Sequence, residues 1–199
     1  MSGAQTKLMI LNAARDVFMV KGYDGARMQE IADRAGINKA MLHYYFHTKY
    51  ELFQEVFYHI MDLFFPVILK TLEETISIRE KISIIVDSYM NFFKQYSFIP
   101  AFIMREMTHQ PHWFTQYLKS HGVNPPEIIK NLEEDQLSEM DAKDIEHLIV
   151  NILSLCIFPI AASPVLKEMI FENSDIDWKR FIDERKQVIK EVIYNAYKL

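Results

Sequence analysis

Along most of this chain apolar residues recur every three or four positions, the spacing that lays one stripe along a helix. The first run, Thr6 to Lys21, sets Leu8, Leu11, Ala14, Val17 and Phe18 on one side. Gly22 follows as a stop, and Tyr23 to Ala26 reads as a turn. A second helix is expected from about Arg27 to Ala35, broken by Gly36, and Asn38 caps a short third helix from Lys39 to about Tyr45. Thr48-Lys49-Tyr50-Glu51 has the form of a capping box. It opens a long helix carrying Leu52, Val56, Phe57, Ile60, Phe64 and Phe65, which Pro66 is expected to kink before the pattern resumes through Leu72. A second box, Ser77-Ile78-Arg79-Glu80, opens a helix to about Tyr96. Pro100 starts another, and Pro111 separates it from a segment around Trp113 to Lys119. After a loop at His121 to Asn124, Pro125-Pro126 leads into a helix ending near Glu139. Asp141 is expected to cap an apolar helix that falters at Pro159, and Asp175 or Asp177 to cap a last helix reaching about Ala196. No segment alternates as a strand does, so the pattern predicts an all-α fold.

Composition agrees. Five glycines and seven prolines in 199 residues leave little from which to build hairpins, and a half-hydrophobic chain can bury a sizeable core. The single cysteine, Cys156, has no partner for an intramolecular disulfide; with no secretion leader recognisable at the start, the expected compartment is the reducing cytoplasm. The longest apolar stretch, Leu148 to Ala162, is broken by Asn151, Ser154 and Pro159 and reads as a buried helix, not a membrane span. The net charge of −5 looks unpromising for a nucleic-acid binder until it is divided. Residues 1–50 hold seven bases and four acids, a net +3, whereas residues 51–199 carry −8. A basic head on an acidic body suits a polyanionic partner.

The informative stretch runs from Met28 to Tyr45. Ala32 is small where one helix must cross another, and Gly36, four residues later, tolerates the positive φ of a tight turn. Ile31, Ala35, Ile37, Leu42 and Tyr45 can pack inward, which leaves Asn38, Lys39, Ala40, Met41, His43 and Tyr44 facing out. By spacing alone an ordinary helical hairpin serves as well as a DNA-binding helix-turn-helix. Residues 6–53, however, resemble the DNA-binding domain of the TetR family of bacterial regulators. The matching run is Ile31-Ala32, then Ala35 through Lys49, then Leu52-Phe53, with Ala13-Ala14, Phe18 and Lys21-Gly22-Tyr23 upstream. The resemblance implies a three-helix DNA-binding domain over 1–50, joined by a long helix to a helical ligand-binding and dimerisation domain over 51–199. It implies that Asn38 caps the recognition helix, that Lys39 and Ala40 form its groove-entering tip, and that Lys49 binds a phosphate with help from its helix N-terminus. It puts Gln29 where a base can be read, as an adenine edge can be by Gln. Arg27 stands where the family carries a Thr or Ser cap and is a candidate phosphate contact. His43 replaces a usual Tyr and would make DNA binding respond to pH. Tyr44 completes the exposed face, and Tyr45 replaces a frequent His.

Other constellations are weaker. His43 and His47 lie four apart but lack a third metal ligand, and Glu106 and His109 make one Glu-x-x-His without the second copy a di-iron bundle needs. No phosphate loop, nucleophile elbow or cysteine-pair zinc pattern occurs, so no metal, no cofactor and no enzymatic activity are expected. Cys156, inside an apolar helix, reads as a core thiol. Phe64, Phe65, Met90, Phe93, Phe102, Met104, Met107, Trp113 and Phe114 are either core or, as the resemblance implies for this region, the lining of a pliable pocket for a small apolar ligand. The last two helices, near 141–158 and 177–196, are the expected homodimer interface, through Leu148, Ile152, Leu155, Val188 and Val192. The resulting expectation is a dimeric repressor released from a palindromic operator by such a ligand, with no membrane partner. The competing readings are a regulator controlled by a protein or by no ligand, and a helical interaction module that does not bind DNA.

Overall fold

The structure, a computed structural model, describes residues 3–135, the last three by backbone alone, and 142–199. The helix end expected near Glu139 and the cap expected at Asp141 lie outside the described residues. Every regular element among the described residues is helical. The chain forms two compact units, Met1–Phe64 and Phe65–Leu199.

The first unit contains α1 (Gly3–Gly25), α2 (Met28–Arg34), α3 (Lys39–Tyr45) and the opening turns of α4 (Lys49–Glu73). Ile10, Leu11, Ala14, Val17 and Phe18 of α1 are buried, whereas Leu8 is 48% exposed: the stripe centres on Ile10, not on Leu8. The stop expected at Gly22 is a break inside α1, where the backbone turns to φ 65° before one more helical stretch. Ile31 and Ala32 of α2, Leu42 of α3 and Leu52, Phe53, Val56, Phe57 and Ile60 of α4 close the core. Phe53 packs edge-on against Phe18 with ring centroids 4.6 Å apart. Burial of these α4 residues moves the first unit's boundary to residue 64, beyond the 50 read from the sequence.

The second unit holds the end of α4, then α5 (Ile78–Gln95), α6 (Ile99–His109), α7 (Pro111–Ser120), α8 (Pro125–Asp135), α9 (Ala142–Ala161), α10 (Ser163–Phe171) and α11 (Asp175–Tyr197). α9 is central and packs against α5, α6, α8, α10 and α11. α11 runs antiparallel to it: Asn151 Nδ2 donates to the Tyr197 hydroxyl at 2.8 Å near one end, while Ile160 and Ile182 line a common recess near the other. The Ser77 box forms, with both reciprocal bonds made. As expected, α4 resumes beyond Pro66, to Glu73, while α9 runs two residues past Pro159 to Ala161. At Pro66 this is tolerable because Asp62, whose carbonyl receives no N–H from the proline four residues on, is exposed to water. Two further expectations need correction. α10 was not anticipated; its N-cap, Ala162, offers no side-chain bond, and the one local signal is a proline in its first turn. The cap of α11 is Ser174, whose hydroxyl accepts from Asp177 N–H at 3.2 Å, in place of either aspartate. α4 and α9 are each long and apolar enough to cross a membrane by length and composition, although no single uninterrupted apolar stretch suggested it. The first turns of α4 are built into the first unit's core, and α9 packs one face against five helices while Val150 and Phe158 stay exposed.

Candidate nucleic-acid interface

The turn between α2 and α3 is fixed by its backbone. Gly36 has φ +65°, the Ile37 N–H donates to the Ala32 carbonyl at 3.0 Å and the Gly36 N–H to Asp33 at 3.1 Å. This is the glycine-terminated cap that ends a helix in a left-handed residue. Asn38 then opens α3, its Oδ1 accepting from the Met41 N–H at 2.7 Å. Thr48 caps α4 through Glu51 N–H at 3.0 Å, but the Glu51 carboxylate accepts from His47 N–H, one residue earlier than a capping box requires.

What α3 shows to solvent is Asn38, Lys39, Ala40, Met41 and Tyr44; Tyr44 is 79% exposed and stands edge-on to Tyr45 at 5.4 Å. His43 is half-buried, with Nδ1 3.2 Å from the His47 carbonyl oxygen, so that ring nitrogen is engaged with the backbone. No group of three or more His, Cys, Asp or Glu side chains able to hold a metal occurs among the described residues. On α2, Gln29 is exposed and its Nε2 donates to Asp33 at 2.7 Å, an intrahelical bond that a base edge would have to replace. Arg27 occupies the N-cap of α2 and makes no capping bond, as expected of an arginine in that place.

The seven bases of residues 1–50 sort into two groups. Lys7 pairs with Glu55 at 2.7 Å, Lys21 with Glu30 at 2.8 Å, and Arg15 and Arg34 both reach Asp16, at 3.0 and 2.9 Å. Lys49 is engaged more fully: Nζ donates to the carbonyls of Tyr23 (2.8 Å), Ala26 (3.2 Å) and Asp24 (3.3 Å) and lies 4.5 Å from the centre of the Tyr23 ring. An ammonium has three N–H donors, so in this arrangement Lys49 has none left for the phosphate contact assigned to it from sequence. Arg27 and Lys39 alone among the seven have no hydrogen-bond or ion-pair partner among the described residues. Both are exposed, one at the start of α2 and the other at the start of α3. Five internally matched bases hold the helices together, and two unmatched ones remain for an external anion. Sequence reasoning could count the bases but not sort them.

The residues proposed for a ligand pocket divide differently. Phe64, Phe65, Met90, Phe93 and Phe102 are core, and Trp113 and Phe114 are half-buried. Met104 and Met107 are each 50% exposed, on the outer face of α6. None of these lines the larger cavity of the second unit, about 380 Å³, whose walls are Leu69, Leu72, Glu73, Lys81, Gly122, Asn124, Glu127, Ile128, Asn131 and Leu132. Phe93 lines a smaller recess of about 150 Å³ beside Trp178 and Ile182. Of the positions expected at a subunit interface, Leu148 and Ile152 face the protomer's own core; Leu155 is half-buried, and Val188 and Val192 are exposed. The outer face of α9 carries Val150 and Phe158 instead, each 61% exposed. Burial pushes the Cys156 thiol up to about 12, against a smaller opposing effect of Arg185, so it is protonated and unreactive at neutral pH.

An outward-facing short helix behind a glycine turn, with two unmatched bases at the helix starts, defines a helix-turn-helix DNA-binding protein. Residues 10–56 match the family model of bacterial regulatory proteins of the tetR family. The HTH-type transcriptional activator FasR of Mycolicibacterium smegmatis is 34% identical over 43% of this chain, a match spanning 39% of that protein. The HTH-type transcriptional repressor NicS of Pseudomonas putida is 27% identical over 90% of each chain. The fold of the whole chain is shared with the transcriptional regulator FadR of Bacillus subtilis, solved in complex with stearoyl-CoA, at a TM-score of 0.61 and 13% identity, covering 92% of this chain and 96% of that one. Residues 10–56 therefore carry a segment matching the tetR family of bacterial regulatory proteins, and the chain is similar to DNA-binding transcriptional regulators over that segment and, at lower identity, along its length. Regulators of this family are usually dimers.

Proposed function

We propose that this chain is a cytoplasmic homodimeric repressor that leaves a palindromic operator when a small apolar ligand enters its second unit. The observation that carries the DNA-binding assignment is the sorting of charges: among the described residues Arg27 and Lys39 are the unmatched bases of the head, exposed at the starts of α2 and α3. In this reading Arg27 and Lys39 hold phosphates or a guanine edge, Gln29 gives up Asp33 to read a base, and Ala40, His43 and Tyr44 supply the remaining contacts in the major groove. Asn38 sets the tip of α3, and Lys49 sets the turn before α2 instead of touching DNA.

Dimerisation would cover the apolar positions left outside on the antiparallel α9–α11 pair, Val150, Phe158, Val188 and Val192. A two-fold dimer requires a two-fold operator, with half-site centres ~34–36 Å apart or a multiple of that. Ligand control follows the example of FadR, which binds stearoyl-CoA. A ligand that prefers one arrangement of the dimer over the DNA-bound one lowers operator affinity by that difference. Repression is the default of a protein that covers a promoter, and NicS is named a repressor.

Selection of bound sequences from random duplex DNA tests the reading in one experiment. Enrichment of an inverted repeat with that spacing is the expected result. Enrichment of a single half-site would remove the dimer, and no enrichment at low salt would remove sequence-specific DNA binding.

A further inference from the structure

Among the described residues Lys81 is the buried cation lining the larger cavity: its residue is 2% exposed, and its Nζ donates to the Leu72 carbonyl at 2.6 Å. That bond has a structural purpose. Leu72 lies in the last turn of α4, whose carbonyls have no partner within the helix, and a cation there is favoured by the helix dipole. It accounts for one of three donors. The other two N–H groups of the ammonium have no hydrogen-bond or ion-pair partner among the described residues. A buried cation short of acceptors is costly, and an incoming oxyanion removes that cost.

Around Lys81 the walls are aliphatic: Leu69 and Leu72 from α4, Ile128 and Leu132 from α8. Among the described residues the carboxylates that line the cavity, Glu73 and Glu127, are exposed, and Glu127 is held by Asn124 Nδ2 at 3.1 Å. The charge order is therefore a buried cation and exposed anions, which admits a single negative charge on the buried end of a ligand and repels a second at the exposed end. The volume, about 380 Å³, sits at the small end of the ~300–1,000 Å³ found for small-molecule sites. We propose that this cavity binds a short monoanionic amphiphile, its carboxylate on Lys81 and its chain between the α4 and α8 leucines. The proposal rests on the reading that the second unit takes a small apolar ligand, and it names that ligand's chemical class and anchor.

Calorimetric titration of the full chain with octanoate, octan-1-ol and octylamine tests it. Octanoate should bind saturably and at least tenfold more tightly than the alcohol, and the amine should be the weakest. Lys81→Met should bring octanoate and the alcohol to equal affinity, while Lys81→Arg keeps the preference. Because Lys81 also caps α4, a second variant leaves it in place: Ile128→Trp fills the cavity and should abolish octanoate binding with the thermal transition retained. Equal binding of octanoate and alcohol to the unaltered protein, or octanoate binding that survives Ile128→Trp, would overturn the proposal. Adding octanoate to the complex with the selected operator separates the two readings. Saturable binding without loss of DNA affinity leaves this site standing and removes ligand release; DNA release by other apolar compounds with no octanoate binding does the reverse.

Discussion

Lys49 Nζ lies 2.8 Å from the Tyr23 carbonyl oxygen and 4.5 Å from the centre of the same residue's ring, so one side chain closes the end of α1 while stacking on its last aromatic. The ammonium ties the last residues of α1 to Ala26, and through them the start of α2. Lys49→Met should lower stability by about 2 kcal/mol, the scale of losing charge-assisted bonds to carbonyls. DNA affinity should fall for all sequences alike, with the slope of log K against log salt unchanged. A slope reduced by about one charge, with stability intact, would instead make Lys49 a phosphate contact.

The opposite behaviour is expected at Arg27 and Lys39. Each is exposed and unmatched, so Arg27→Ala and Lys39→Ala should leave the thermal transition within ~0.5 kcal/mol of the parent. Each should reduce the salt slope by about one if it neutralises one phosphate. Fluorescence anisotropy with a labelled operator at several salt concentrations reads both quantities. Unchanged slopes in both variants would show that the head's anion contacts lie elsewhere.

Gly36 stands at φ +65° with open space where a Cβ would go, so a side chain there meets no clash and pays only in backbone conformation. Gly36→Ala should cost ~1–2 kcal/mol, the penalty for a left-handed alanine. Urea denaturation checks this; a loss under 0.5 kcal/mol would mean that the turn relaxes to another form.

Asp16 links stability to acid. Burial pushes its carboxyl up, but the hydrogen bonds and charges of Arg15 and Arg34 outweigh burial and hold it below the ordinary carboxylate value. A carboxyl depressed in the folded state stabilises at pH above its unfolded value, and that contribution is lost as pH falls through the folded one. Asp16→Asn should therefore be less stable than the parent at neutral pH, by no more than ~1 kcal/mol for so exposed a cluster. The gap should close as pH drops through the acid range. Melting curves from neutral pH to acid follow it; a gap independent of pH would assign the loss to packing.

Much of the head was legible along the chain because its signals are local. Asn38 caps α3 three residues on, and Gly36 supplies a positive φ that few other residues adopt. The α1 stripe was one position astray at Leu8, since a helix's centre of burial depends on what packs against it. α10 was missed because no polar cap announces it.

The sequence by itself determined the helices other than α10, the glycine turn and the surplus of bases at the N-terminal end, since each depends on residues within about one helical turn of each other. Only the tertiary structure decided which of those bases are free. Arg34 meets Asp16 across 18 residues and Lys49 meets Tyr23 across 26, and no spacing rule foresees such pairs. The same holds for apolar positions: Leu148 and Ile152 are core while Val150 and Phe158 face out, although hydropathy treats them alike. Lys81 completes the contrast, because a lysine in an amphipathic helix reads as surface until α4 and α8 enclose it.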